Sequence, residues 1–112
     1  MPIANCYIKK EISGDADFQQ LVAEWAKILH LSENDITLNV ITDYKQFGQP
    51  YLVMVNLFLP SLWSEVDIEK IQQSLSGLIQ KHLKIDPGQI FIMTSIIESG
   101  HVLSEGKVEK WG

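Results

Sequence analysis

The residue with the clearest chemical potential is Pro2, directly behind Met1 in the opening Met1-Pro2-Ile3-Ala4-Asn5-Cys6-Tyr7-Ile8. Trimming of the methionine leaves a proline whose ring nitrogen is a secondary amine at the head of a strand. An unperturbed α-amino group titrates near roughly 8. An apolar pocket disfavours the charged form and lowers that value, and a neighbouring lysine acts in the same direction. An amine brought towards neutrality is a usable general base. A small second residue is also common for no chemical reason. The weight therefore falls on whether the rest of the chain builds such a pocket.

Other side chains carry two readings each. Lys9 and Lys10 follow the first strand and are either a solvated strand end or a positive charge for a substrate. Tyr7 and Tyr51 read as sheet residues, with a pocket phenol as the alternative. Asn39 and Asn56 interrupt apolar strands, and each needs a hydrogen-bond partner if buried. His30 and His82 fall at helix ends, where the carbonyl dipoles suffice to explain them. His101 lies in the tail, within reach of a neighbour's pocket. The histidines share no metal-ligand spacing with cysteine or carboxylate, so neither a metal nor a cofactor is expected. No glycine-rich phosphate loop and no Ser/His/Asp arrangement stands out.

At 112 residues the chain is read as one domain, residues 1–112, with an ordinary apolar content of 46%. Its net charge is −5 and its basic residues are scattered, which argues against nucleic acid as a partner. No basic segment precedes an apolar core at the start, and no apolar run approaches the ~20 residues that span a bilayer. The single cysteine, Cys6, makes no internal disulfide and fits a reducing cytoplasm as a small buried hydrophobe. All nine basic residues are lysines. The chain thus lacks the planar guanidinium fork that grips carboxylates bidentately.

The elements that must position Pro2 follow from hydrophobic periodicity. Ile3 to Ile8 is a strand with apolar groups on both sides, hence central in its sheet. Phe18, Leu21, Val22, Trp25, Ile28 and Leu29 share one helical face after the turn at Ser13–Asp17. Asp35 to Thr42 alternates as a strand, an irregular connection occupies 43–50, and Tyr51 to Leu59 is a long apolar strand stopped by Pro60. Ser64 caps a second helix with Ile68, Ile71, Leu75, Leu78, Ile79 and Leu83 on one face. Gln89 to Ile97 reads as a fourth strand buried on both sides, and Lys107 to Trp111 as a short extended piece. The order is strand-helix-strand, repeated at an offset of 54 residues that lays Leu21 on Leu75, Leu29 on Leu83, Ile36 on Ile90 and Pro2 on Asn56. Two tandem βαβ units, about 2–55 and 56–112, predict an α+β fold. Its four-stranded mixed sheet carries both helices on one face. The other sheet face is also apolar and has no helix to cover it, so a sheet from another copy is expected there.

The Met1-Pro2-Ile3-Ala4 opening running into Tyr7-Ile8 is similar to the start of 4-oxalocrotonate tautomerase. The doubled βαβ chain, Phe47-Gly48 and the run from Gly77 through Leu83, Ile85 and Pro87 to Ile92 resemble the macrophage migration inhibitory factor and 5-carboxymethyl-2-hydroxymuconate isomerase type. The chain as a whole therefore resembles the tautomerase superfamily. That resemblance implies a homotrimer with sheets inside and helices outside, C-terminal pieces pairing onto neighbours, and a pocket between subunits. It implies Pro2 as the base that moves a proton between carbon and oxygen of a small keto–enol acid, without a cofactor. Lys9 or Lys10 would supply the positive charge near a family arginine, with Pro60, Phe91 and Met93 as further substrate-binding positions. Phe91 and Met93 stand where the migration inhibitory factor has a tyrosine and an asparagine, and its lysine after the first helix gives way to Leu31 and Ser32. The pocket implied is greasier and poorer in donors. Set against the enzyme are a non-catalytic trimeric binding module on the same fold and a ferredoxin-like domain with the same element order.

Overall fold

In the computed structural model, which describes all 112 residues, strand β1 (Ile3–Ile8) buries Ala4, Cys6 and Ile8 and leaves Ile3, Asn5 and Tyr7 half-buried. A single turn of helix, α1 (Lys10–Ser13), leads to helix α2 (Phe18–Leu29). The Asp17 carboxylate accepts from the Gln20 N–H at 3.0 Å, satisfying one of the orphan donors of the first turn of α2. Leu21, Trp25, Ala26 and Leu29 form its buried stripe. The helix stops at His30, which takes a left-handed conformation (φ 57°). A 3-10 turn over Glu33–Asp35, closed by a capping box from Ser32, feeds β2 (Thr37–Ile41).

The second half repeats these devices. Strand β3 (Val53–Pro60) ends before Ser64, whose hydroxyl accepts from Asp67 N–H at 3.2 Å and starts helix α3 (Glu65–Leu83). Lys84 ends α3 in the same left-handed conformation as His30, and a 3-10 turn over Pro87–Gln89 leads into β4 (Ile90–Ile97). The chain closes with a hairpin, β5 (Val102–Ser104) on β6 (Lys107–Glu109).

The sheet order is β2-β1-β3-β4. The β1/β2 and β3/β4 pairs are parallel, as two βαβ units require, and β1 meets β3 antiparallel in the middle. Both helices pack on the face formed by Ala4, Cys6, Ile8, Val53, Val55, Leu57 and Leu59. No polar side chain is buried there. Where α2 meets α3, the Trp25 indole N–H donates to Ser74 Oγ at 3.1 Å, and Ser74 donates on to the Ile71 carbonyl at 3.0 Å. Cys6 lies in this interior, and burial pushes its thiol up to about 12, so it is an inert packing residue.

Several expectations are revised by the coordinates. Strand β4 is a sheet edge and not buried on both sides: Met93, Ser95 and Ile96 are exposed. The tail forms two short strands paired with each other. The 54-residue offset holds for the helix ends, the 3-10 turns and the strands after them, but not for the first strands. Ile3 pairs with Thr37, and the partner of Phe91, 54 residues after Thr37, is Met54, so these strands are offset by 51. Pro2 therefore corresponds to Val53 and not to Asn56. Asn39 and Asn56 lie on the face away from the helices, where the Asn39 amide donates to Asn5 Oδ1 at 2.8 Å. They do not satisfy the interior. His82 is more than a dipole partner: its Nε2 is 3.2 Å from the Glu24 carboxylate, beside Lys81 Nζ at 2.9 Å.

Leu57 is fully buried at the centre of the sheet. Leu57→Ala removes that packing and leaves a cavity, for an expected loss of about 2–5 kcal/mol, read as a lower urea midpoint with an unchanged slope. A loss below half a kcal/mol would contradict this placement of the core.

Candidate functional site

Pro2 sits at the head of β1, buried, with its carbonyl accepting from Thr37 N–H at 3.1 Å. Antiparallel pairing sets Ile3 against Phe58, so the start of β1 meets the end of β3 at Leu59 and Pro60. The parallel neighbour β4 brings Ile97 to the same end. The C-terminal hairpin folds back over this corner. It is held there by Gly100 N–H to the Glu109 carbonyl (2.9 Å), Trp111 N–H to Ser99 Oγ (2.8 Å) and the Trp111 indole N–H to Ser61 Oγ (3.1 Å).

Between these elements lies a cavity of about 140 Å³, walled by Met1, Pro60, Leu62, Ile97, Val102 and Trp111 among others. Glu109 is its one ionisable side chain. The free amine of the chain is on Met1, which lines the cavity and is 46% exposed. Burial, the largest influence, holds this amine below the ordinary α-amino value, while Asp35 and Glu109 push it upward. With Met1 in place the Pro2 nitrogen is an amide without a basic lone pair. Its loss transfers the amine to Pro2, which is buried behind Met1 and is not itself among the residues that wall the cavity.

The residues singled out from sequence divide between the two ends of the sheet. Pro2 and Pro60 share the cavity end. Lys9 lies at the far end of β1, seven residues on, which at ~3.3 Å per residue is roughly 23 Å away. Its backbone N–H donates to Leu52, and its ammonium stands 5.2 Å from the centre of the Tyr44 ring, a cation–π contact. Lys10 is exposed in α1. Phe91, at the start of β4, packs against Tyr51 with ring centres 5.1 Å apart. Met93 lies midway along β4, 55% exposed, level with Asn56, Asn5 and Asn39 in a row across the uncovered face. One chain therefore does not bring Lys9, Lys10, Phe91 or Met93 to Pro2.

At the Lys9 end a second cavity of about 360 Å³ opens among Tyr7, Tyr44, Gln46, Phe47 and Met54. Gln46 ties its loop down by accepting from Tyr51 N–H at 2.9 Å, while Phe47 is left 87% exposed. The Tyr44 ring meets Tyr7 edge-on, and its hydroxyl is buried without a partner. Burial, with Glu11 in support, raises the Tyr44 phenol above its ordinary value.

Sequence reasoning overlooked Glu109, Trp111 and Tyr44. The signal for the first two was faint: an acidic residue and a tryptophan in a tail whose return to β1 no periodicity announces. His101 is exposed at the start of the hairpin.

No protein-family model matches the sequence, and no curated protein matches it either. Solved structures do match its fold. A fused 4-OT, solved as a symmetric trimer, superposes with a TM-score of 0.78 at 11% identity, covering 96% of this chain and 94% of that one. The macrophage migration inhibitory factor of Trichinella spiralis gives 0.69 at 15% identity over 94% and 96%. N1, of the cis-3-chloroacrylic acid dehalogenase family, gives 0.72 at 9% identity over 96% and 82%. The chain has the fold of the tautomerase superfamily, in the doubled βαβ form.

The electrostatics of the cavity are open to titration. Glu109→Gln removes one of the two charges that support the ammonium, so the amine midpoint moves further down, followed by pH-dependent amine labelling or NMR. A midpoint that stays put would place Glu109 away from the amine.

Proposed function

We propose that this chain is a cofactor-independent tautomerase acting on small keto–enol compounds, with Pro2 as general base once Met1 is removed. The observation that carries the reading is the head of β1, where Met1 and Ile3 on either side of the buried Pro2 border an apolar cavity and burial holds the terminal amine below its ordinary value. Desolvation there lowers an amine's affinity for its proton, and a neutral secondary amine takes a proton from one atom of the substrate and returns it to another. The fold shared with the fused 4-OT and the migration inhibitory factor supports the same chemistry.

A homotrimer is part of the proposal. The sheet face carrying Ile3, Tyr7, Met54, Phe58 and Phe91 has no helix over it, and the fused 4-OT of the same fold is a trimer. Association also answers the separation of the site residues: a neighbouring copy is the available source of Lys9, Lys10, Phe91 and Met93 near Pro2. The acids expected from the sequence are one class of such substrates, and their carboxylate would depend on those lysines. A cytoplasmic setting accords with the single buried thiol. No helix is long and apolar enough to cross a membrane.

Pro2→Ala, compared with wild type in the ketonisation of enol phenylpyruvate and 2-hydroxymuconate, is expected to lower kcat by about a hundredfold or more. Equal rates would remove Pro2 from the mechanism. Intact mass on the same sample shows whether Met1 is gone. A chain that retains it and is inert on both compounds is instead a binding module on this fold. Sedimentation at micromolar concentration is expected to give a trimer, and a monomer there would contradict the account of the uncovered face.

A further inference from the structure

The sheet face without a helix is crossed by a polar line. Strand register sets Asn39, Asn5 and Asn56 level with one another on three neighbouring strands, and Met93 closes the row on β4. One row towards the head of β1 stand Ile3 and Phe58, ending in Thr37 and Ser95 at the sheet edges. One row the other way stand Tyr7, Met54 and Phe91, with Ile41 at the edge. Within the polar line the Asn39 amide donates to Asn5 Oδ1 at 2.8 Å. Asn56 makes no side-chain hydrogen bond within the chain, so donors and acceptors stay open along the row. None of the three rows carries a carboxylate, lysine or histidine.

Charge and carboxamides together say what covers this face. The chain carries a net charge of −5, so two copies repel unless they meet where no carboxylate stands, and this face is such a place. A partner presenting charged groups would bury them here unpaired. A carboxamide both donates and accepts, so a row of carboxamides is complementary to a second row of the same kind. We propose that the Asn5, Asn39 and Asn56 row is the contact by which copies of this chain recognise one another and fix their register. The inference rests on the homotrimer reading for the number of copies, but on the row alone for the register.

Apolar side chains alone do not specify how far one sheet slides over the next. A slipped arrangement that sets Asn56 against a phenyl or thioether of another copy strips its carboxamide of water and gives nothing back. When the rows meet, the open donors and acceptors pair. The row thereby does for a sheet what one buried asparagine does for a coiled coil, where some stability is given up and other registers and copy numbers are excluded.

The test follows assembly size by sedimentation velocity and native mass spectrometry, with circular dichroism to check folding. Wild type is expected as a single species. Asn56→Val raises the concentration for half-dissociation by about tenfold or more, because the carboxamides it met are left unpaired. Asn56→Asp brings like charges together and gives monomer, whereas Asn34→Asp, exposed in the 3-10 turn after α2, leaves assembly unchanged. Asn39→Asp, on the exposed edge strand, carries the same test where a change on the central strand unfolds the chain. The triple variant Asn5→Val, Asn39→Val, Asn56→Val still associates, but as more than one size of assembly. A trimer as stable in the aspartate variants as in wild type overturns the inference and leaves the homotrimer standing. Equal loss in Asn34→Asp, or a single species in the triple variant, also overturns it. A wild-type oligomer of another size that the row variants disrupt upholds the row and removes the trimer, and a monomeric wild type removes both.

Discussion

The antiparallel pairing of β1 with β3 is the contact on which the molecule turns. Each βαβ half makes a parallel pair of strands and one helix, and neither half encloses an interior by itself. Joining them through β1 and β3 puts Ala4, Cys6 and Ile8 level with Val53, Val55 and Leu57, in one continuous apolar layer beneath both helices. The same register brings the head of β1 to the tail of β3, and so decides which residues meet at Pro2. A slip of one residue would turn the layer outward and separate Pro2 from Pro60 together.

Much of this architecture is legible in the sequence because its signals are local. The apolar stripes of the two helices, the acceptors at Asp17 and Ser64 and the apolar run from Val53 to Leu59 each fix an element from a few neighbouring residues. The doubled pattern could be counted from the spacing of Leu21 and Leu75. The relation between the first strands could not. Three extra residues between the start of β3 and the end of α3 raise the offset from 51 at the first strands to 54 beyond them, and strand register is set by long-range pairing that no local periodicity reports. For the same reason β4 reads as buried: a strand of Ile, Phe and Met looks central by composition, whether its outer side meets another strand or nothing.

The site divides along the same line. Pro2 could be found from its position and chemistry. The cavity at the head of β1 takes part of its wall from the tail, where Glu109 and Trp111 arrive with the β5–β6 hairpin. Lys9, close in sequence, is carried off by the strand itself: an extended segment is the surest way to separate its two ends. The electrostatic outcome is a contest, with burial pushing the amine towards neutrality and Asp35 and Glu109 holding its proton on. At the Met1 amine burial is the larger influence.

The three tryptophans divide the structure between them. Trp25 is sealed between the helices and bonded to Ser74, Trp63 keeps its indole N–H buried without a partner, and Trp111 forms a wall of the cavity at the head of β1 with its indole on Ser61. Of the three, only the last borders the space a ligand would fill. The protein thus carries its own optical reporter at that corner, and its near-ultraviolet emission offers a view of occupancy without a label, a cofactor or a chromogenic substrate.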